Sequence, residues 1–125
     1  MSDRFRAVVE AADLDALPGL LADDVVLHSP VTFKPFEGRD VVVHVLRTVF
    51  EVFEDFRYVD ALAGDGATTA LVFEARVGDR GVQGIDYLHE RPDGLIDDVT
   101  VLVRPLSGLQ ALRDEMGRRL GAPPS

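Results

Sequence analysis

The sequence predicts an α+β fold in which a strongly bent antiparallel sheet wraps around N-terminal helices and encloses an apolar pocket. Three observations carry that expectation. Apolar residues recur at helical spacing in the N-terminal part of the chain. Between Phe56 and Arg104, strand-like stretches follow one another across short glycine-containing turns, the pattern of antiparallel hairpins. A last helical stretch, Leu106–Leu120, comes after them. Helices grouped at the ends of a meander specify α+β rather than α/β.

The elements follow in order. Phe5, Val8, Val9 and Ala12 repeat at i, i+3, i+4 and i+7 and predict a first helix. Asp13 then reads as the N-cap of a second helix over Leu14–Leu21, with Asp15 in its first turn. Pro18 falls inside that segment and should distort or break it. Val25–Ser29 reads as a short strand stopped by Pro30, and Val31–Gly38 as a loop carrying Phe33, Pro35 and Phe36. Asp40 can cap a helix over Val41–Phe53, where Val42, Val45, Leu46, Val49, Phe50 and Phe53 share a face. The β-branched residues there oppose a helix, so period and length decide it. Strands are predicted over Phe56–Ala63, Thr68–Val77, Val82–Glu90 and Leu95–Arg104. Leu109, Leu112, Met116 and Leu120 form one side of the last helix.

Length and composition bound the function. The chain has 125 residues, enough for one core, so residues 1–120 are read as one domain and Gly121–Ser125 as a loose tail. Acids outnumber bases 22 to 13, giving a net charge of -9, which argues against nucleic-acid and anionic-membrane partners. No stretch is long enough to span a bilayer, and the N-terminus has no apolar signal core. Without cysteine there is no disulfide framework. Three scattered histidines give no metal shell, and no glycine-rich phosphate loop or nucleophile elbow is present, so neither a metal nor a cofactor is expected. These features point to a cytoplasmic domain acting on a neutral or cationic small molecule or on a protein.

Several segments resemble a known family. Asp13-Leu14-Asp15-Ala16-Leu17, then Leu20 to Val25, then His28-Ser29-Pro30, resemble the opening of the nuclear transport factor 2-like superfamily. Phe36-Glu37-Gly38-Arg39-Asp40, Asp86 and Asp93-Gly94-Leu95-Ile96 continue the resemblance, which spans about Arg4 to Leu106 and is nearest the SnoaL-like branch. It implies a cone-shaped fold, an apolar pocket inside the bent sheet and a homodimer formed through the sheet. It does not name a reaction, because that fold hosts isomerases, hydrolases, cyclases, dehydratases and non-catalytic binders.

Strand alternation selects the residues able to reach such a pocket. Phe73 on one strand, Asp86 and Leu88 on the next, and Val99, Val101 and Val103 on the last are predicted to face inward, with Glu74 and Arg76 outward. Asp86 is the principal candidate for acid–base chemistry. A carboxyl on an apolar face has its charged form disfavoured and can serve as an acid or an oxyanion donor. Its position resembles the oxyanion-hole aspartate of ketosteroid isomerase. The resemblance then departs from that enzyme: Ser29 stands where its general base precedes a proline, and Phe5 where its oxyanion tyrosine lies. Steroid isomerisation by that mechanism is therefore disfavoured.

Two further candidates have two readings each. His28 can pair with Asp86 as a base, or, by strict alternation from Leu27 and Ser29, turn away from the pocket. Tyr58 can share the inward face with Phe56 and Asp60 and offer its hydroxyl to a ligand, or sit at the rim with its hydroxyl in water. Ser29, Phe33, Phe53 and Phe73 are expected to line the ligand site with Leu88, Val99, Val101 and Val103. Tyr87 and His89 fall on the outer face, suited to a dimer surface. The expectation is a pocket for an apolar, carbonyl-bearing molecule, used for cofactor-free isomerase, cyclase, dehydratase or hydrolase chemistry, with a non-catalytic binder or an interaction module as the alternatives.

Overall fold

The computed structural model describes residues 3–120; the predicted tail, Gly121–Ser125, lies outside the described residues. Helix α1 covers Asp3–Glu10, followed by a 3₁₀ helix over Leu14–Leu20. Strands β1 (Leu21–His28) and β2 (Phe36–Glu37) precede helix α2 (Arg39–Val52). Strands β3 (Glu54–Ala63), β4 (Thr68–Val77), β5 (Arg80–Glu90) and β6 (Ile96–Arg104) form the meander, and helix α3 covers Leu106–Leu120.

The sheet order is β2-β1-β6-β5-β4-β3. The meander is antiparallel as predicted, but β1 joins β6 in parallel. The long crossover through α2 and four strands, β2 to β5, makes that pairing possible. Register shifts interrupt β1/β6, β3/β4 and β5/β6. Such bulges bend and twist the strands that carry them, and here they occur on both sides of β5. The sheet curves, and its concave face is covered by helices.

Three local expectations are corrected. Leu14–Leu20 is a 3₁₀ helix rather than an α-helix, with Pro18 inside it, and Asp13 makes no side-chain cap hydrogen bond. Helix α2 begins at Arg39, with Gly38 (φ 96°) as its N-cap and Asp40 inside the first turn. Gly38 is suited to that positive φ because it has no Cβ. The first strand starts at Leu21, earlier than its apolar run suggests, because Asp23 and Asp24 continue it with exposed side chains.

The core is an aromatic seam between α1, α2 and the sheet. Phe5 meets Phe50 at 6.4 Å, Phe50 meets Phe56 at 5.6 Å, and Phe56 stacks on Phe73 at 4.9 Å between ring centroids. Phe53 touches both Phe56 and Phe73. Such pairs add about 0.5–1.5 kcal/mol each beyond area burial. Gly84 of β5 makes this possible. A Cβ there would stand 2.3 Å from Cζ of Phe73 and 2.6 Å from the carbonyl oxygen of Leu102.

Gly84→Ala should therefore destabilise the fold by about 2 kcal/mol or more in denaturant titration, since backbone and a buried ring must both yield. Gly81→Ala, where a Cβ meets nothing within 4 Å, should change stability by less than about 0.5 kcal/mol.

Candidate functional site

Asp86 lies on β5 opposite Leu71 of β4 and Val101 of β6. Strand alternation turns it to the concave face with Val82, Gly84 and Leu88, and it is 3% exposed. Its partner is Tyr58, whose hydroxyl donates to Oδ2 of Asp86 at 2.6 Å. Tyr58 is placed from β3 opposite Phe73. Its ring stands edge-on to Phe56 at 4.9 Å and to Phe73 at 6.5 Å. The space Gly84 leaves for Phe73 thus helps to fix where the Tyr58 hydroxyl points. On the other side the Arg6 guanidinium of α1 lies 5.8 Å from the Tyr58 ring centroid and pairs with Glu10.

The electrostatics follow from burial. Loss of water pushes the Asp86 carboxyl up from 3.8 to about 7, while the hydrogen bond from Tyr58 pulls it down. Burial also raises the Tyr58 phenol, and the facing Asp86 adds to the rise, so Tyr58 stays protonated and remains the donor. Among the described residues, no buried side-chain nitrogen or oxygen lacks a partner. The pair is thus a satisfied acid on the edge of two protonation states near neutral pH.

Next to this pair is a narrow apolar slot. Leu27, Ser29, Val49, Val101 and Met116 are among its walls, and its volume is about 30 Å³. Ser29 is its one side chain able to hydrogen-bond, and its hydroxyl already accepts from the Val31 amide at 3.1 Å. Val101 stands directly across from Asp86 on the same face, so their Cβ atoms are about 5 Å apart, while the carboxyl itself is bonded to Tyr58 on the other side and does not line the slot. Outside the slot the loop after β1 forms a groove of about 470 Å³ from His28, Thr32, Phe33 and Pro35, with Ser29, Pro30 and Val31 shared between groove and slot.

The structure brings some of the predicted residues together and separates others. Asp86 and Tyr58 are paired, and Ser29 and Val101 line the slot. Phe53, Phe73, Leu88 and Val99 are buried core side chains rather than walls of that slot, and Val103 is half-buried. Rings fill much of the interior in which an apolar pocket was expected, and the narrow slot adjoins them. Phe33 does not face into the sheet: it is fully exposed, at 101%, in the loop between Pro30 and Pro35, and lines the outer groove rather than the slot. His28 does not approach Asp86; its Nε2 lies 3.3 Å from Oδ2 of Asp98 on the outer side. Asp60 is exposed, because the register shift between Tyr58 and Asp60 breaks the alternation that would have put it beside Tyr58. Val49 and Met116 are slot walls that periodicity marks only as core-facing; which core positions stop short of contact is set by how α2 and α3 dock. His89 pairs with Asp97 on the outer face at 2.6 Å, beside exposed Tyr87. Among the described residues no group of three His, Asp or Glu is placed to hold a metal ion, and no helix is long and apolar enough to cross a membrane.

Residues 3–99 match the family model for the SnoaL-like domain. The chain belongs to the SnoaL-like family of the nuclear transport factor 2-like superfamily. This SnoaL-like chain is similar to a steroid delta-isomerase from Pseudomonas aeruginosa, with 49% identity over 94% of this chain and 87% of that one, at a TM-score of 0.91. It is similar as well to an uncharacterised cystatin-like-fold protein from Silicibacter pomeroyi, with 38% identity over 94% and 83% of the two chains and a TM-score of 0.89. A protein of unknown function from Mesorhizobium loti shares the fold, with 21% identity over 82% and 86% and a TM-score of 0.71. No curated protein gives a significant match.

The sign of the pH effect can be worked out from Asp86. Its carboxyl ionises near 3.8 in the unfolded chain and at about 7 in the fold. Between those values the fold holds a proton the unfolded chain has released, so the contribution is full at low pH and is lost as pH rises toward 7. Asp86→Asn keeps an acceptor for Tyr58 and cannot ionise. It should be close to neutral at about pH 4 and stabilising at about pH 8. Tyr58→Phe strips the carboxylate of its donor and should destabilise, by about 1 kcal/mol at low pH and about 2–3 kcal/mol at about pH 8. Denaturant titrations of both variants across that range read the opposite slopes.

Proposed function

We propose that the chain binds a rigid, apolar small molecule carrying a carbonyl group, with that group directed toward Asp86. The observation that carries this reading is one buried carboxyl, bonded to Tyr58, across the sheet from Val101, a wall of a narrow apolar slot. A protonated Asp86 can donate to a carbonyl oxygen, and the surrounding rings exclude the water that would compete. The similarity to a steroid delta-isomerase makes a polycyclic ketone the ligand class to try first. By the resemblance to ketosteroid isomerase, Ser29 stands where that enzyme has its base, and the slot it lines holds no carboxylate or imidazole. Binding is accordingly the primary reading. Isomerase-type turnover would require the ionised form of Asp86 to take the proton from carbon and return it, a different state from the protonated donor that binds the ketone, and a carboxyl ionising at about 7 populates both near neutral pH.

A homodimer is the second proposal. The outer face carries a cross-strand row, Val72–Ile85–Leu102, next to exposed Tyr87, flanked by the polar row Glu74–Gln83–Arg104. An apolar stripe with a polar rim fits a self-complementary interface.

Two results are expected. Progesterone, a steroid enone, should bind more tightly below pH 7 and weaken about tenfold per unit above it in calorimetric titration, because the acid must be protonated to donate. Failure to bind at any pH contradicts the reading. A β,γ-unsaturated ketosteroid in the same buffers reports turnover through the rise of conjugated-enone absorbance, which Asp86→Asn should abolish. For the dimer, Leu102→Glu places a charge in the stripe and should give monomers in sedimentation where the parent chain sediments as a dimer.

A further inference from the structure

We infer that slot and groove are two compartments of one binding site, and that Phe33 is its specificity-determining residue, the aromatic face against which the body of the ligand lies. This rests on the small-molecule reading above. The volumes decide the division. About 30 Å³ admits a group the size of a water molecule or a carbonyl, not a ring system. The adjoining groove, about 470 Å³, lies within the range of about 300–1,000 Å³ that holds whole small molecules. Ser29, Pro30 and Val31 wall both, so the two cavities adjoin and a molecule seated in the groove lies against the mouth of the slot.

Phe33 is displayed rather than packed. It is fully exposed at the groove, whereas every other phenylalanine of the chain is buried or joins the core from its edge. Pro30 and Pro35 stiffen the loop on either side of it, and the Val31 amide is tied back to the Ser29 hydroxyl at 3.1 Å. A stiff loop presents the ring with little ordering left to do on binding. The remaining groove residues give it a matching character: Val31, Pro30 and Pro35 are apolar, and His28, turned to Asp98, closes one end. A flat polycyclic ketone fits such a surface, with its ring face on Phe33 and its oxygen toward Val101 and Asp86.

The test is progesterone binding to the full chain, its Phe33→Ala and Phe33→Trp variants, and Val101→Phe, which fills the slot. Phe33→Ala should weaken binding about tenfold, Phe33→Trp should retain it, and both should keep the thermal midpoint of the parent, since an exposed ring contributes nothing to the core. Val101→Phe should also weaken binding, and amide NMR of the parent should show progesterone shifting residues of both the 29–33 loop and Val101. If Phe33→Ala binds as tightly as the parent while Val101→Phe does not, the two-compartment site is overturned and the small-molecule reading stands. If the parent itself fails to bind progesterone, both are overturned. If Phe33→Ala alters the sedimenting mass instead, Phe33 serves self-association and the assignment fails.

Discussion

A carboxyl group buried on the apolar face of a sheet must either give up its charge or find a donor, and the concave side of this sheet meets that requirement at Asp86. The donor is Tyr58, two strands away. It reaches Asp86 because Phe73 supports its ring, and Phe73 lies where it does because position 84 has no side chain. Four residues on three strands therefore depend on one another. The register of the meander, the bulge after Tyr58 and the glycine in β5 are all conditions for a single 2.6 Å hydrogen bond. That bond does not fully offset the loss of water, so the acid is poised between its neutral and charged forms near pH 7.

The other acids behave differently because they remain in water. Asp15 pairs with Arg47, Asp23 with Arg39, and Glu54 and Asp55 with Arg76, all with substantially exposed side chains. Exposed pairs of this kind contribute about 0–1 kcal/mol each and are screened by salt. Their charges are largely cancelled by their partners, and the net charge of -9 comes from the surplus of 22 acids over 13 bases. The contrast separates one acid with a functional environment from the many that make the surface polar.

How much was legible in the sequence depended on the range of the interaction. Helix and strand positions are local, and the periods of Val42–Phe50 and Thr68–Val77 located α2 and β4. Alternation placed Asp86 inward because β5 has no bulge between Val82 and Leu88. The same rule failed at Asp60, where a bulge adds one residue to the count. It also gave no basis for Phe33, since a loop has no period and its apolar ring looks like a core residue in isolation. The Tyr58–Asp86 bond itself was beyond reach, because it joins residues 28 apart across an intervening strand. The slot walls at Val49 and Met116 were equally hidden: sequence marks a helix face as apolar, whereas the gap it leaves depends on how two helices dock on the sheet.

Whether Asp86 carries a proton near neutral pH decides whether it can act as the donor to a ligand. Carboxyl-carbon NMR on the chain labelled at aspartate, titrated from about pH 3 to pH 9, measures this directly, with Asp86→Asn assigning the resonance. A midpoint near 7 for that one carboxyl, moving higher in Tyr58→Phe, is the predicted result. A midpoint near 4, indistinguishable from the exposed aspartates, would mean that the carboxyl is solvated or fully charge-compensated, and would contradict the proposed acid.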